Sequence, residues 1–309
     1  MKVNILIFLA ITSTFNFTKA ENILFFFASG SWSHKVSIWP LAMALADRGH
    51  NVTFLSGHAK QPFEHPKVHD LLSPTIQTKL KSIYGVDRFL ERLNSKELDL
   101  WSYNNIETVK TCELIFSAVG DPALDYVLHE GQFDLVVTNL VLGDCGLLVA
   151  HQKKAKLIIS ASTPLLTWLY DEFGFPDEPT TVPDMTPEYT YPMGFWDRLH
   201  NYLTPIIWYL KRHYEIYGPL EAIMAKGYNL KPEEVPSLLD VQRNASLILL
   251  SSHYSTDFAR SLPPMVVNIG GMQCWQPKKP LTGVGLHTFI NFYIKINGVN
   301  ALRFVCTGI

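Results

Sequence analysis

Residues 22 to 28, NILFFFA, form an unbroken apolar run that limits the chain to few folds. A strand without polar alternation is buried on both faces, as happens inside a parallel sheet covered by helices on each side. The next segment supplies such a helix. Ile38, Leu41, Ala42 and Leu45 recur at i, i+3, i+4 and i+7, and Gly49 stands where helices commonly end in left-handed backbone. HNVTFLS at 50 to 56 reads as a second strand, completing a strand, helix, strand unit with a right-handed crossover.

The alternation continues. Residues 61 to 102 mix charge, proline and scattered apolar positions and are expected to be an irregular insertion with short helices. Residues 105 to 130 read as two helices broken at Gly120-Asp121-Pro122, with Asp121 capping the second. FDLVVT (133 to 138) and KLIIS (156 to 160) are further buried strands flanking a helix over 144 to 152. The proline-rich stretch 174 to 193 is a loop, and ASLILLSS (245 to 252) and MVVNIGG (265 to 271) add two strands. This order defines an α/β fold, a doubly wound, mainly parallel sheet of Rossmann-like type.

Between loop and strands lies an aromatic helical region containing Trp196 and Trp208, apolar around much of its circumference. It admits two readings: a wall for an apolar ligand or a membrane-facing surface, or an ordinary core helix kinked at Pro205, the second slightly preferred.

With 309 residues, 47% of them hydrophobic, and a net charge of only −2, the chain is globular and offers no field for nucleic acid. Residues 1 to 20 carry an early lysine, a short apolar stretch and small residues leading to Ala20, the pattern of a cleavable secretory signal. A secretory route opens the sequons at Asn51 and Asn244 to glycosylation, Asn51 lying close to a buried strand. The four cysteines are widely spaced with no CxxC pair, so no zinc site is indicated and buried thiols are the plain expectation, with any pairing left open. No metal is implied.

The chemistry centres on His34. It follows the first strand directly, and doubly wound sheets bind ligands beyond the carboxyl ends of their strands. A helix starting near Lys35 would lower the imidazole's proton affinity, leaving it neutral and able to accept a proton; the plain alternative is a structural histidine at a turn. The adjoining loop, Ser29 to Ser33, lacks the glycines of GxGxxG, which argues against a dinucleotide and an oxidoreductase. No GxSxG, HExxH or Walker lysine occurs anywhere in the chain.

Three runs carry a family resemblance: GSWSHKVSIWPLAMALADRGHNVTFLS, FDLVVTNLVLGDCGLLVAH and NASLILLSSHYSTDFARSLPPMVVNIGGMQC. Together they resemble the amino-terminal half of the family-1 UDP-glycosyltransferases of animals, over about residues 21 to 280. The resemblance implies the acceptor-binding, Rossmann-like domain of a two-domain GT-B fold, located in the endoplasmic reticulum lumen and membrane-associated in full-length members. It implies a small lipophilic acceptor, a UDP-sugar as co-substrate with no cofactor, and inversion at the sugar. His34 takes the position of the base that deprotonates the acceptor hydroxyl. Trp32, Ser33, Trp196 and Trp208 are candidate acceptor contacts.

Two departures accompany it. The family's aspartate partner to the histidine is replaced by Asn139, which carries no charge to offset a developing imidazolium. In a serine-protease triad the corresponding exchange costs about 10⁴ in rate. Asp144 is the nearby substitute, with a plainer role as N-cap of the following helix. Second, residues 281 to 309 fit no part of the pattern, and the donor-binding domain has no counterpart among these 309 residues. The chain alone is therefore expected to be inactive. A non-catalytic fragment that binds acceptors, or that pairs with itself or with full-length transferases, is the alternative.

Overall fold

The computed structural model describes residues 20–58, 64–84, 100–140, 143–184, 189, 191–253, 255, 257–258 and 260–275. The signal expected at 1 to 20 and the tail at 281 to 309 lie almost wholly outside them.

Seven strands form one parallel sheet: β1 (Asn22–Phe27), β2 (Asn51–Ser56), β3 (Val68–Leu72), β4 (Leu135–Asn139), β5 (Lys156–Ala161), β6 (Leu247–Leu250) and β7 (Val266–Asn268). Their order is β3-β2-β1-β4-β5-β6-β7, so the chain winds outward from β1 and then returns to its other side at β4. The reversal between β1 and β4 is the topological switch point, where a crevice opens beyond the strand ends.

The apolar run at β1 is explained by cover on both faces. Leu24 and Phe26 pack into one core with residues of the later helices, whereas Ile23, Phe25 and Phe27 pack into a second against Ile38, Trp39 and Phe54. Phe25 stacks on its register partner Phe54 with centroids 5.3 Å apart. Each fully buried side chain of this size contributes roughly 1.5–3 kcal/mol.

Helix α1 (Trp32–Asp47) crosses from β1 to β2. It begins three residues before Lys35, so His34 lies in its first turn and not ahead of it. The stretch read as an irregular insertion contains edge strand β3 and helix α2 (Pro74–Tyr84). VHDLL lacks the apolar run of an inner strand because its edge position lets polar and apolar residues mix.

Helices α3 (Leu100–Phe116) and α4 (Pro122–Asp125) follow, the latter continuing as a π turn. Asp121 caps α4 as expected, accepting from the amides of Ala123 and Leu124. Helix α5 (Cys145–Gln152) lies so close to β4 that a Cβ on Gly146 would sit 2.1 Å from the Thr138 hydroxyl. Helices α6 (Thr167–Phe173), α7 (Phe195–Arg212), α8 (Gly218–Gly227) and α9 (Leu238–Arg243) complete the cover.

Cys112 and Cys145 are not buried thiols. They form a disulfide tying α3 to the first residue of α5 across 33 positions of sequence. Such a loop predicts a loss of roughly 3–4 kcal/mol when Cys112→Ala and Cys145→Ala are combined, read from chemical denaturation. A loss below about 1 kcal/mol would show that the bond is not formed or not needed.

The aromatic helix α7 is a core helix on one side only, with Trp208 packed into the core. Its inward face carries Asn201, Thr204, Pro205, Trp208 and Arg212, while Trp196 is 75% and Ile207 54% exposed. Asn201 locks the orientation: its amide donates to the carbonyls of Pro179 (2.7 Å) and Val182 (2.8 Å) and accepts from the Asp184 amide (2.7 Å). Hydrogen bonds on the polar side therefore decide the facing, and the apolar stripe is left outward.

Candidate active site

The carboxyl ends of β1 and β4 bring His34 and Asn139 together. Gly30 separates them in a turn with φ of +88°, and a Cβ built there would lie 2.8 Å from His34 Cγ and 3.1 Å from Asn139 Nδ2. Only a residue without a side chain leaves room for both neighbours. Asn139, the last residue of β4, is 2% exposed.

His34 sits at the third position of α1, and its Nδ1 accepts from the Ser31 backbone N–H at 3.2 Å. Ser31 Oγ lies 3.0 Å from the same nitrogen and 2.7 Å from Ser33 Oγ. When the backbone amide donates, the neutral ring carries its proton on Nε2. With Ser31 Oγ as acceptor, the proton moves to Nδ1 and Nε2 is free to take one from a substrate. Burial, and secondarily the charge of His58, hold His34 below the usual 6.5, so the imidazole is neutral near pH 7.

His58 and Lys35 were not singled out from the sequence. Lys35 is 1% exposed, donates to both oxygens of Asp70 at 2.8 and 2.9 Å, and has its proton affinity lowered by burial against the opposing pull of Asp70. His58 follows β2 and contacts the Gly30 carbonyl at 2.9 Å. The signal available in sequence was only the place of His58 just after a strand and of Lys35 next to His34.

The other expected residues are dispersed. Trp32 is 40% exposed beside His34, its indole edge-on to His58 with centroids 6.2 Å apart, and Ser33 is exposed. Trp208 is buried and Trp196 points outward, so the two cannot line one surface of α7. Asp144 shares a small cleft with Asn139 and Thr138, yet its side chain caps no helix. It is instead paired with Arg212 at 2.6 Å, which also meets Glu172 at 2.9 Å, all three buried. Asn51 opens β2 in an exposed position but its sequon Thr53 is 5% exposed, whereas Asn244 and Ser246 are both exposed just after α9. Among the described residues no cluster of His, Cys, Asp or Glu could hold a metal, and no helix is long and apolar enough to cross a membrane.

These residues thus give an α/β domain, a doubly wound parallel sheet with a neutral imidazole at its switch point. Residues 23–294 match the family model described as UDP-glucoronosyl and UDP-glucosyl transferase, and the chain belongs to that family. It is 28% identical over 272 residues to "UDP-glycosyltransferase UGT5" of Dactylopius coccus, covering 87% of this chain and 51% of that protein. It is 30% identical over 260 residues to the "2-hydroxyacylsphingosine 1-beta-galactosyltransferase" of Homo sapiens, covering 81% of this chain and 44% of that one. The chain thus spans about half the length of the curated relatives it matches. Among solved structures, the calicheamicin glycosyltransferase CalG4 aligns with a TM-score of 0.40 and 13% identity over 82% of this chain and 52% of that one.

Proposed function

We propose that the chain is the acceptor-binding part of a UDP-glycosyltransferase that moves a sugar from a UDP-sugar to a small lipophilic alcohol or phenol with inversion. The observation that carries this reading is His34, a neutral imidazole at the switch point beside Asn139. A hydroxyl is a weak nucleophile until a positioned base removes its proton as the new bond forms. Here the tautomer with its proton on Nδ1, donated to Ser31 Oγ, lets His34 Nε2 take the acceptor proton as the oxygen attacks the anomeric carbon from the face opposite UDP, and UDP leaves with the bonding pair. Trp32 and Ser33 flank the acceptor, and the relative named for 2-hydroxyacylsphingosine supports a lipid-like alcohol among the acceptors.

The leader pattern at 1 to 20, the Cys112–Cys145 disulfide and the exposed sequon at Asn244 support a secretory, oxidising compartment. The outward apolar stripe of α7 supports a contact with lipid or acceptor in place of a core role.

Asn139 favours a second reading, an acceptor-binding protein without transfer, because an amide cannot offset the charge of an imidazolium. One substitution separates the two. In protein carrying both halves of the family's length, Asn139→Asp is expected to raise the rate of transfer to 1-naphthol and to raise the His34 pKa, since a carboxylate favours the charged ring. A wild type that binds 1-naphthol but transfers nothing, with transfer appearing only in the aspartate variant, would establish the binding reading. An unchanged rate and an unmoved pKa would remove the pairing of residues 34 and 139 altogether.

A further inference from the structure

Resting on the reading of His34 as the base, we propose that His58 is its positioning residue, acting through the Gly30 turn. His58 Nε2 lies 2.9 Å from the Gly30 carbonyl. A carbonyl has no proton to give, so Nε2–H is the donor whether the ring is neutral or charged. The turn it holds is the one in direct contact with the catalytic candidate: the Cβ position of Gly30 is 2.8 Å from His34 Cγ and 3.1 Å from His34 Cβ. Holding that carbonyl therefore sets the surface on which the His34 ring rests.

His58 is itself anchored from below. Its own carbonyl accepts from Lys35 Nζ and from Ser56 Oγ, each at 3.3 Å, and Lys35 is fixed by both oxygens of Asp70 on β3. Three neighbouring strands thus converge on one loop: β3 through Asp70, β2 through His58, and β1 through Gly30. On the solvent side Trp32, the candidate acceptor contact, leans edge-on against the His58 ring.

The electrostatics run in the useful direction. The charge of His58 lowers the proton affinity of His34 beyond what burial does, while burial and, to a lesser degree, Lys35 lower that of His58 against the opposing pull of its bond to the Gly30 carbonyl. When acid protonates one ring it resists protonation of the other, so the pair holds a single charge over a wider pH range than two independent rings.

The test uses the full chain labelled with ¹⁵N, and reads the His34 ring by nuclear magnetic resonance without any transfer assay. In wild type a cross-peak is expected to join the Gly30 α-protons to the His34 ring, given their close approach. His58→Gln keeps an N–H for the Gly30 carbonyl and removes only the charge. It is expected to keep the cross-peak and the neutral-form His34 shifts while moving the His34 titration upward. His58→Ala is expected to lose the cross-peak, change the neutral-form shifts and move the titration upward. If His58→Ala does not fold, His58→Phe fills the space without a donor and makes the same comparison. A cross-peak and shifts in the alanine or phenylalanine variant equal to wild type would overturn the proposal, as would their loss in the glutamine variant. Because no turnover is measured, the positioning role can stand or fall separately from the role of His34 as base.

Discussion

His34→Ala, placed in protein carrying both halves of the family's length, is expected to lower kcat for transfer to 1-naphthol by about 10²–10⁴, the usual worth of a positioned general base. The acceptor KM should change little, because the ring contributes most where the proton is moving and least in the ground state. The pH profile supplies a second reading of the same group. His34 is held below 6.5 by burial and by His58, and only its neutral form accepts a proton. Activity should therefore fall as pH drops through this lowered value, and the acidic limb should lie below that of an exposed histidine. His58→Gln should move the limb upward, as the second cation is removed. An alanine variant that retains transfer within about threefold of wild type would end the assignment of His34 as base.

Arg212→Met is expected to cost roughly 3–5 kcal/mol of stability, the price of leaving buried charge without its partner. Arg212 is 4% exposed, and its guanidinium serves two carboxylates, Asp144 at 2.6 Å and Glu172 at 2.9 Å. Those two acids raise its proton affinity well above normal, although burial alone would lower it. Glu172 also accepts from the Tyr217 hydroxyl at 2.7 Å and from the Gln242 amide, so loss of the cation strains a cluster shared by α6, α7 and α9. Asp144 is the weaker member, its buried Oδ2 having no hydrogen-bond partner among the described residues. Urea denaturation should show a lower midpoint at an unchanged slope. Adding Asp144→Asn and Glu172→Gln to Arg212→Met should recover part of the loss, because the uncompensated charges are then gone. A single-variant loss under about 1 kcal/mol would mean that the cluster is open to water.

The same cluster shows where Asp144, the candidate stand-in for an aspartate at position 139, directs its charge. Its charge is directed at Arg212 from across 68 residues of sequence, and nothing local announces that partner. From sequence, position five residues after Asn139 and a helix start just beyond suggested a catalytic substitute or a cap. The Asp144 Oδ1 is engaged by the guanidinium, and the side chain makes no capping bond.

What the sequence determined by itself was the layered sheet and the place of its one conspicuous histidine. Unbroken apolar runs at NILFFFA, LVVT and LIIS fix strands buried on both faces, and the helical spacing after His34 fixes the crossover, because local periodicity dictates which side chains must leave water. The cap at Asp121 was legible for the same reason, its partners lying two and three residues away. Only the tertiary structure decided the rest: the edge strand β3, the Cys112–Cys145 bond, the outward turn of the α7 stripe, the pairing of Asp144 with Arg212, and the hold of His58 on Gly30. Each of these joins groups far apart in the chain or on opposite sides of a helix. Periodicity shows that such a helix has an apolar face, but whether that face is covered depends on which hydrogen bonds the polar face can make, and those partners exist only after the chain has folded.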